Sequence, residues 1–282
     1  MKLARYSVGS TQSLGLVDGD GVYDIPRHVK GAPTTMLALM EKWADFKQAV
    51  AGLAKGTPDH RLADVKLLAP VERPGKIMAI GLNYADHAKE SNMALPTEQL
   101  YFAKATTSLN GPFDTIELPK VSDNLDYEVE LVIVIGKRCR HVSRADAPSV
   151  IFGYCVGNDV SVRDWQLKTS QFTIGKSFDT HAPVGPWIVT GDSIDPHKLA
   201  IKCEVNGETR QNSNTDQLVF DCFAMVEFLS KAMTLEPGDL LFTGTPSGVG
   251  LAMKPPHWLK KGDVVRSTIE GIGTIENVVK PE

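Results

Sequence analysis

The sequence predicts a mainly β fold with some helix, an α+β chain. Three observations carry this. The run Val129-Glu130-Leu131-Val132-Ile133-Val134-Ile135 is β-branched and closes on Gly136. Short apolar segments recur, punctuated by glycine, aspartate or proline. Few stretches show a helical period, the clearest being Leu218, Cys222, Met225, Val226, Leu229 and Met233. At 282 residues, a small N-terminal α/β domain over 1–70 and a larger domain over 71–282 are expected.

Composition excludes several classes. Hydrophobic residues at 42% and charged ones at 23% suit a globular protein, and a net charge of -4 gives no reason to expect nucleic acid or membrane partners. The four cysteines form no CxxC pair and no cluster with histidine, which argues against a zinc site or a disulfide scaffold. With no apolar leader in Met1-Lys2-Leu3-Ala4-Arg5-Tyr6, a cytoplasmic protein is expected.

In chain order, Lys2 to Val8 and Leu14 to Ile25 read as strands divided by Gly9-Ser10 and Asp18-Gly19-Asp20-Gly21. Met36, Leu37, Leu39, Met40, Trp43, Phe46 and Val50 then give a helical period, and Pro70 with Pro74-Gly75 marks the joint. Lys76 to Gly81 is a short strand. Asn83 reads as an N-cap, and His87 and Glu90 share one helical face at i, i+3. Alone, such a pair reads as a surface ion pair. Its place just after a strand-to-helix turn also suits a general base, an imidazole oriented by a carboxylate.

Leu125 to Gly136 reads as one strand whose alternation puts Asp126, Glu128 and Glu130 on one side. Grouped carboxylates need compensation, and a hard divalent cation supplies it through oxygen ligands. Asp159, ending the apolar strand from Ile151, is the third carboxylate of such a site. Arg163 and Gln166 follow on one side of a helical turn, where a guanidinium suits a substrate carboxylate. Lys176 lies in the polar loop Gly175 to Pro186; buried among carboxylates and a cation, it would stabilise developing negative charge or deliver a proton. His181 in that loop is a candidate for supporting the site. A hairpin turns at Asn206-Gly207, and the strand into Thr243-Gly244-Thr245-Pro246-Ser247-Gly248 ends in a loop without nucleotide-binding glycine spacing. Asp263 to Glu270 and Gly273 to Val279 close the chain.

Six motifs occur in order: Gly81-x-Asn83-Tyr84-x-x-His87-x-x-Glu90, Phe102-x-Lys104, Asp126-Tyr127-Glu128-x-Glu130, Gly157-x-Asp159-x-x-x-Arg163-Asp164-x-Gln166, Gly175-Lys176-x-Phe178-Asp179 and Thr243-Gly244-Thr245-Pro246-x-Gly248-Val249. Together they resemble the fumarylacetoacetate hydrolase family over about residues 75 to 282; the first 70 carry no motif. The resemblance implies a mixed β-roll catalytic domain in a homodimer, with Mg²⁺ or Mn²⁺ held by Glu128, Glu130 and Asp159. It implies His87 and Glu90 as a water-activating dyad, Lys176 as the catalytic lysine, and Arg163, Gln166 and Thr245 as substrate contacts. Leu82 stands where small acylpyruvate hydrolases carry arginine, so the match is nearer to members with an apolar residue there. Ala105 replaces the proline common after Phe-x-Lys.

The expected activity is metal-dependent hydrolysis of a carbon–carbon bond in a β-diketo acid of the fumarylacetoacetate or acylpyruvate kind. The alternative keeps the metal and drops the water: decarboxylation of a β-keto acid such as oxaloacetate, or isomerisation of an unsaturated 2-hydroxy acid. A non-catalytic binding protein would not need the His/Glu/Lys set.

Overall fold

Strand Val129–Ile135 is buried at every residue, as its apolar run predicts. It pairs antiparallel with Ile151–Asn158 on one side and Leu240–Phe242 on the other. The computed structural model describes residues 1–90 and 94–282 of the chain. Its largest sheet has twelve strands. Along the main path these run, neighbour to neighbour, from His60–Arg61 through Gly21–Asp24, Thr11–Asp18, Lys2–Val8, Ala182–Thr190, Ile151–Asn158, Val129–Ile135, Leu240–Phe242 and Ile77–Gly81 to Leu100–Lys104. A five-stranded sheet, ordered Glu208–Asn214, Ala200–Val205, Val264–Ile269, Gly273–Pro281, Ile116–Leu118, packs near it. This sheet-dominated architecture with few helices is the fold class that the sequence predicts.

Alternation along the central strand divides the core. Leu131, Ile133 and Ile135 pack with Ile201, Cys203, Val265 and Ile275 of the smaller sheet. Val132 and Val134 face the opposite way, into a cluster with Met36, Leu39, Leu240 and Phe242. Helix Cys222–Ala232 buries Cys222, Met225, Val226 and Leu229 of the predicted stripe, while Leu218 and Met233 fall outside the helix and are half-buried. Asp221 caps it by accepting from the amides of Phe223 and Ala224.

Across the boundary expected near residue 70 the sheet is continuous, because Lys2 and Leu3 pair with Val189 and Ile188. The single helix expected from Met36 to Val50 is two, Met36–Glu41 and Trp43–Gly52, which meet at Lys42. The strand expected over Leu125 to Gly136 is also two. Leu125–Asp126 pairs with Ser161–Val162 in a separate ribbon, and the chain re-enters the main sheet only at Val129. That break redirects Asp126.

Candidate active site

The ends of two neighbouring strands build the acidic centre. Glu130 lies opposite Gly157, the Asp159 amide donates to the Glu128 carbonyl at 2.9 Å, and the Glu128 amide donates to Asn158 Oδ1 at 2.9 Å. This lacing brings one carboxylate oxygen each of Glu128, Glu130 and Asp159 within 4.8 Å of one another, all three buried. Lys176 Nζ donates to Glu128 Oε2 at 2.7 Å and to Asp159 Oδ2 at 2.8 Å. Lys104 Nζ reaches Asp159 Oδ1 at 2.6 Å and also donates to the Lys176 carbonyl. Glu130 Oε2 accepts from the Gly244 amide at 2.7 Å.

The charges are unevenly matched. Burial opposes ionisation of Glu128, but Lys176 and Arg163 outweigh it and pull its carboxyl down to about 2. At Glu130 burial is joined by the charges of Asp159 and Glu128, and the carboxyl is pushed well above its usual range. The cluster is therefore short of positive charge at Glu130. Three converging carboxylates with hard oxygen donors fit Mg²⁺ or Mn²⁺.

Asp126 is turned away from this centre. It accepts from the amides of Tyr127 (2.9 Å), Gly250 (2.8 Å) and Leu251 (3.0 Å) and from Arg163 Nε (2.8 Å). Any side chain at position 250 would collide here, since a Cβ would lie 2.0 Å from the His257 carbonyl oxygen and 2.7 Å from Asp126 Oδ1. Arg163 Nη2 lies 2.7 Å from oxygens of both Asp126 and Glu128, and Nη1 donates to Gln166 Oε1 at 2.9 Å. The guanidinium thus braces the acidic cluster through buried ion pairs.

Opposite, helix Ala85–Glu90 presents His87, whose Nδ1 is 3.2 Å from Glu90 Oε2. The Gly248 amide donates to both Glu90 oxygens at 3.0 and 3.1 Å, so the carboxylate is fixed from the glycine-rich loop. Asn83 does not act as the expected cap. It is fully buried, and its Nδ2 donates to the carbonyls of Thr243 (2.8 Å) and Phe220 (2.9 Å), tying this segment to the same loop. Leu82 sits at φ +54°, a left-handed backbone that costs a leucine about 1–2 kcal/mol. The dyad and the carboxylates of Glu128 and Glu130 face one cavity of about 520 Å³, walled elsewhere by Leu82, Leu100, Phe102, Phe172 and Leu251. Gln166 and Thr245 line it too; the Thr245 hydroxyl donates to the Val129 carbonyl at 2.9 Å and accepts from Gln211 at 2.8 Å.

A family model for the C-terminal region of fumarylacetoacetate hydrolases matches residues 76–280. The chain belongs to the fumarylacetoacetate hydrolase family. A mitochondrial oxaloacetate tautomerase of Rattus norvegicus is 45% identical over 264 residues, which cover 93% of this chain and 84% of that protein. Among solved structures, the fumarylacetoacetate hydrolase of the psychrophile Exiguobacterium antarcticum superposes with a TM-score of 0.89 at 39% identity over 100% of both chains. The maleylpyruvate hydrolase of Sphingobium sp. SYK-6, crystallised with manganese(II) and pyruvate, gives 0.85 at 36% identity, covering 100% of this chain and 99% of that one.

Membership in the fumarylacetoacetate hydrolase family agrees with a divalent-metal cofactor, since one family structure holds manganese and this chain carries the acidic cluster. The expected cytoplasmic location is corrected: the rat relative is a mitochondrial protein. An apolar leader marks secretion, whereas mitochondrial address segments are amphipathic and arginine-rich, so the lack of an apolar leader does not point to the cytoplasm.

Two residues with clear structural parts were not singled out from the sequence as site residues, Lys104 and Gln211. Asp126 was grouped with Glu128 and Glu130 but braces Arg163 and the Gly250 and Leu251 amides instead. Lys104 left a trace in Phe102-x-Lys104, but its partner Asp159 is 55 residues on. Gln211, fully buried, accepts from the Val129 amide at 3.0 Å and donates to Thr245 and the Pro246 carbonyl, and nothing in its local sequence signals this. His181 is buried, with Nε2 donating to the Glu117 carbonyl at 2.8 Å and no hydrogen bond to the cluster carboxylates among the described residues.

Proposed function

We propose that this protein is a metal-dependent enzyme that moves a proton between the enol and keto forms of a β-keto acid of the oxaloacetate kind. What carries the reading is the 45% identity to an oxaloacetate tautomerase over 93% of the chain, joined to a single His–Glu dyad facing an acidic cluster. Hydrolysis, the first expectation from the sequence, finds its named counterparts at 36–39% identity. Enol–keto exchange asks less of the same residues, because no water need be activated.

Glu128, Glu130 and Asp159 would hold a divalent ion, which would supply Lewis acidity to a bound keto acid. In enolisation His87, oriented by Glu90, takes the proton from C3 while the 2-oxygen gains one from Lys176 or from water; ketonisation is the reverse, the enol O–H giving up its proton and His87 protonating C3. A positioned base of this kind contributes roughly 10²- to 10⁴-fold. Glu90 orients the imidazole ring and is itself held by the Gly248 amide. Lys176, at the cavity floor, provides positive charge where the 2-oxygen becomes negative. The apolar wall of Phe102, Phe172 and Leu251 lowers competition from water.

The test follows the ultraviolet absorbance of enol-oxaloacetate with Mn²⁺ present, beside cleavage of a 2,4-diketo acid. Wild type should accelerate ketonisation, and His87→Ala should lose about 10²-fold or more. Rapid diketo-acid cleavage with no effect on the oxaloacetate enol would return the hydrolase reading and sink this one.

A further inference from the structure

Three cations line the cavity beside the dyad: Arg163, Lys176 and Lys254. The first two have carboxylate partners at 2.7–2.8 Å. Lys254 has no side-chain hydrogen bond or ion pair among the described residues, and it is exposed at the rim. We propose that Lys254 sets specificity for 2-oxo diacids by receiving the substrate carboxylate remote from Glu128, Glu130 and Asp159. The inference rests on the keto-acid reading above and adds which keto acids the site prefers.

The chemistry of the walls supports it. A 2-oxo acid places one carboxylate at the acidic centre, where a divalent ion fits. Its other end then meets Leu100, Phe102, Phe172 and Leu251, which welcome a methyl or phenyl group. A second carboxylate there would lose hydration with nothing in return unless a cation faced it. An ammonium on a flexible four-carbon stem at the rim is such a cation.

The segment carrying Lys254 is also fixed in relation to the acidic centre. The Gly250 and Leu251 amides donate to Asp126, and the Gly250 carbonyl accepts from the amides of Met253 (3.3 Å) and His257 (2.9 Å). Arg210 Nη1 donates to Met253 Sδ at 3.6 Å. Asp126 in turn holds Arg163, which holds Glu128. One chain of contacts therefore fixes the backbone that carries Lys254 relative to the acidic centre, and the four-carbon stem supplies the remaining reach.

The experiment is titration calorimetry on the Mn²⁺-loaded protein with malate and with 2-hydroxybutanoate, which differ by a carboxylate against a methyl group. Wild type should bind malate roughly tenfold tighter, the size of one charge-assisted contact. Lys254→Met should abolish that preference, and Lys254→Arg should keep most of it. A malate preference surviving in Lys254→Met, or absent from wild type, overturns the proposal. Oxaloacetate ketonisation by the wild type, measured alongside, judges the keto-acid reading separately: its absence would refute that reading, while the two binding constants would still decide the role of Lys254.

Discussion

Lys104 Nζ lies 2.6 Å from Asp159 Oδ1, and both side chains are sealed from solvent. Burial pushes the ammonium below the usual lysine range while Asp159 holds it up, so each charge depends on the other. Lys104→Met should destabilise the metal-free protein by about 1–3 kcal/mol, because it takes from a buried carboxylate one of its two ammonium partners and leaves only Lys176. Urea unfolding measures this. Saturating Mn²⁺ should restore part of the loss, since it brings a cation to the same cluster. A change below about 1 kcal/mol would mean that Lys176 alone compensates Asp159.

A ligand that binds only the folded state raises stability by mass action, about 2.7 kcal/mol at a hundred times its Kd. Mn²⁺ should therefore raise the melting temperature of the wild type. Glu128→Gln removes one of three converging carboxylates. It should abolish the rise at the same metal concentration. The comparison is between the increments, because losing the partner of Lys176 and Arg163 also lowers the baseline. An undiminished increment in Glu128→Gln would place the metal elsewhere.

The acidic centre was legible because its geometry is local. Glu128 and Glu130 are two residues apart at the mouth of a strand, and Asp159 ends another apolar strand that pairs with it. His87 and Glu90 were legible as an i, i+3 pair. Asp126 was placed by the same alternation, but the ribbon Leu125–Asp126 leaves the main sheet before Val129, and the side chain goes instead to the Gly250 and Leu251 amides. Asn83 reads as a cap by residue type, yet its side chain bonds carbonyls more than 130 residues away. For the fold, the Asn206-Gly207 hairpin and the Cys222–Ala232 helix follow from turn chemistry and periodicity. The pairing of Lys2–Val8 with Ala182–Thr190 does not, because the exposed edge of one strand carries no local mark of its partner.

His181 makes stability depend on pH. Burial, with Lys104 nearby, outweighs its hydrogen bond to Glu117 and lowers its pKa from 6.5 to about 4. In the folded protein the ring stays neutral where the unfolded chain binds a proton. Its stabilising contribution is therefore full above about pH 7 and lost as pH falls from 6.5 toward 4, by about 3 kcal/mol at most. His181→Gln can still donate to the Glu117 carbonyl and has no proton to gain. Unfolding free energies across pH 4–7 should show a shallower slope for the variant. Equal slopes would mean that His181 titrates normally in the folded state.

Gly248 joins the His87–Glu90 pair to the strand beneath it. Its φ is +102°, and a Cβ there would lie 1.9 Å from the Arg210 carbonyl oxygen. Its amide donates to both oxygens of Glu90. Gly248→Ala therefore brings a backbone conformation costing about 1–3 kcal/mol together with a clash that only a loop shift relieves. That shift would move the amide from Glu90 and leave His87 without an oriented partner. Oxaloacetate ketonisation should fall roughly tenfold or more, as for a misplaced base. The three carboxylates take no hydrogen bond from Gly248 among the described residues, so the Mn²⁺-induced rise in melting temperature should persist. Full ketonisation by Gly248→Ala would show that Glu90 does not need this anchor. A lost Mn²⁺ increment would show instead that the loop and the acidic centre move as one body.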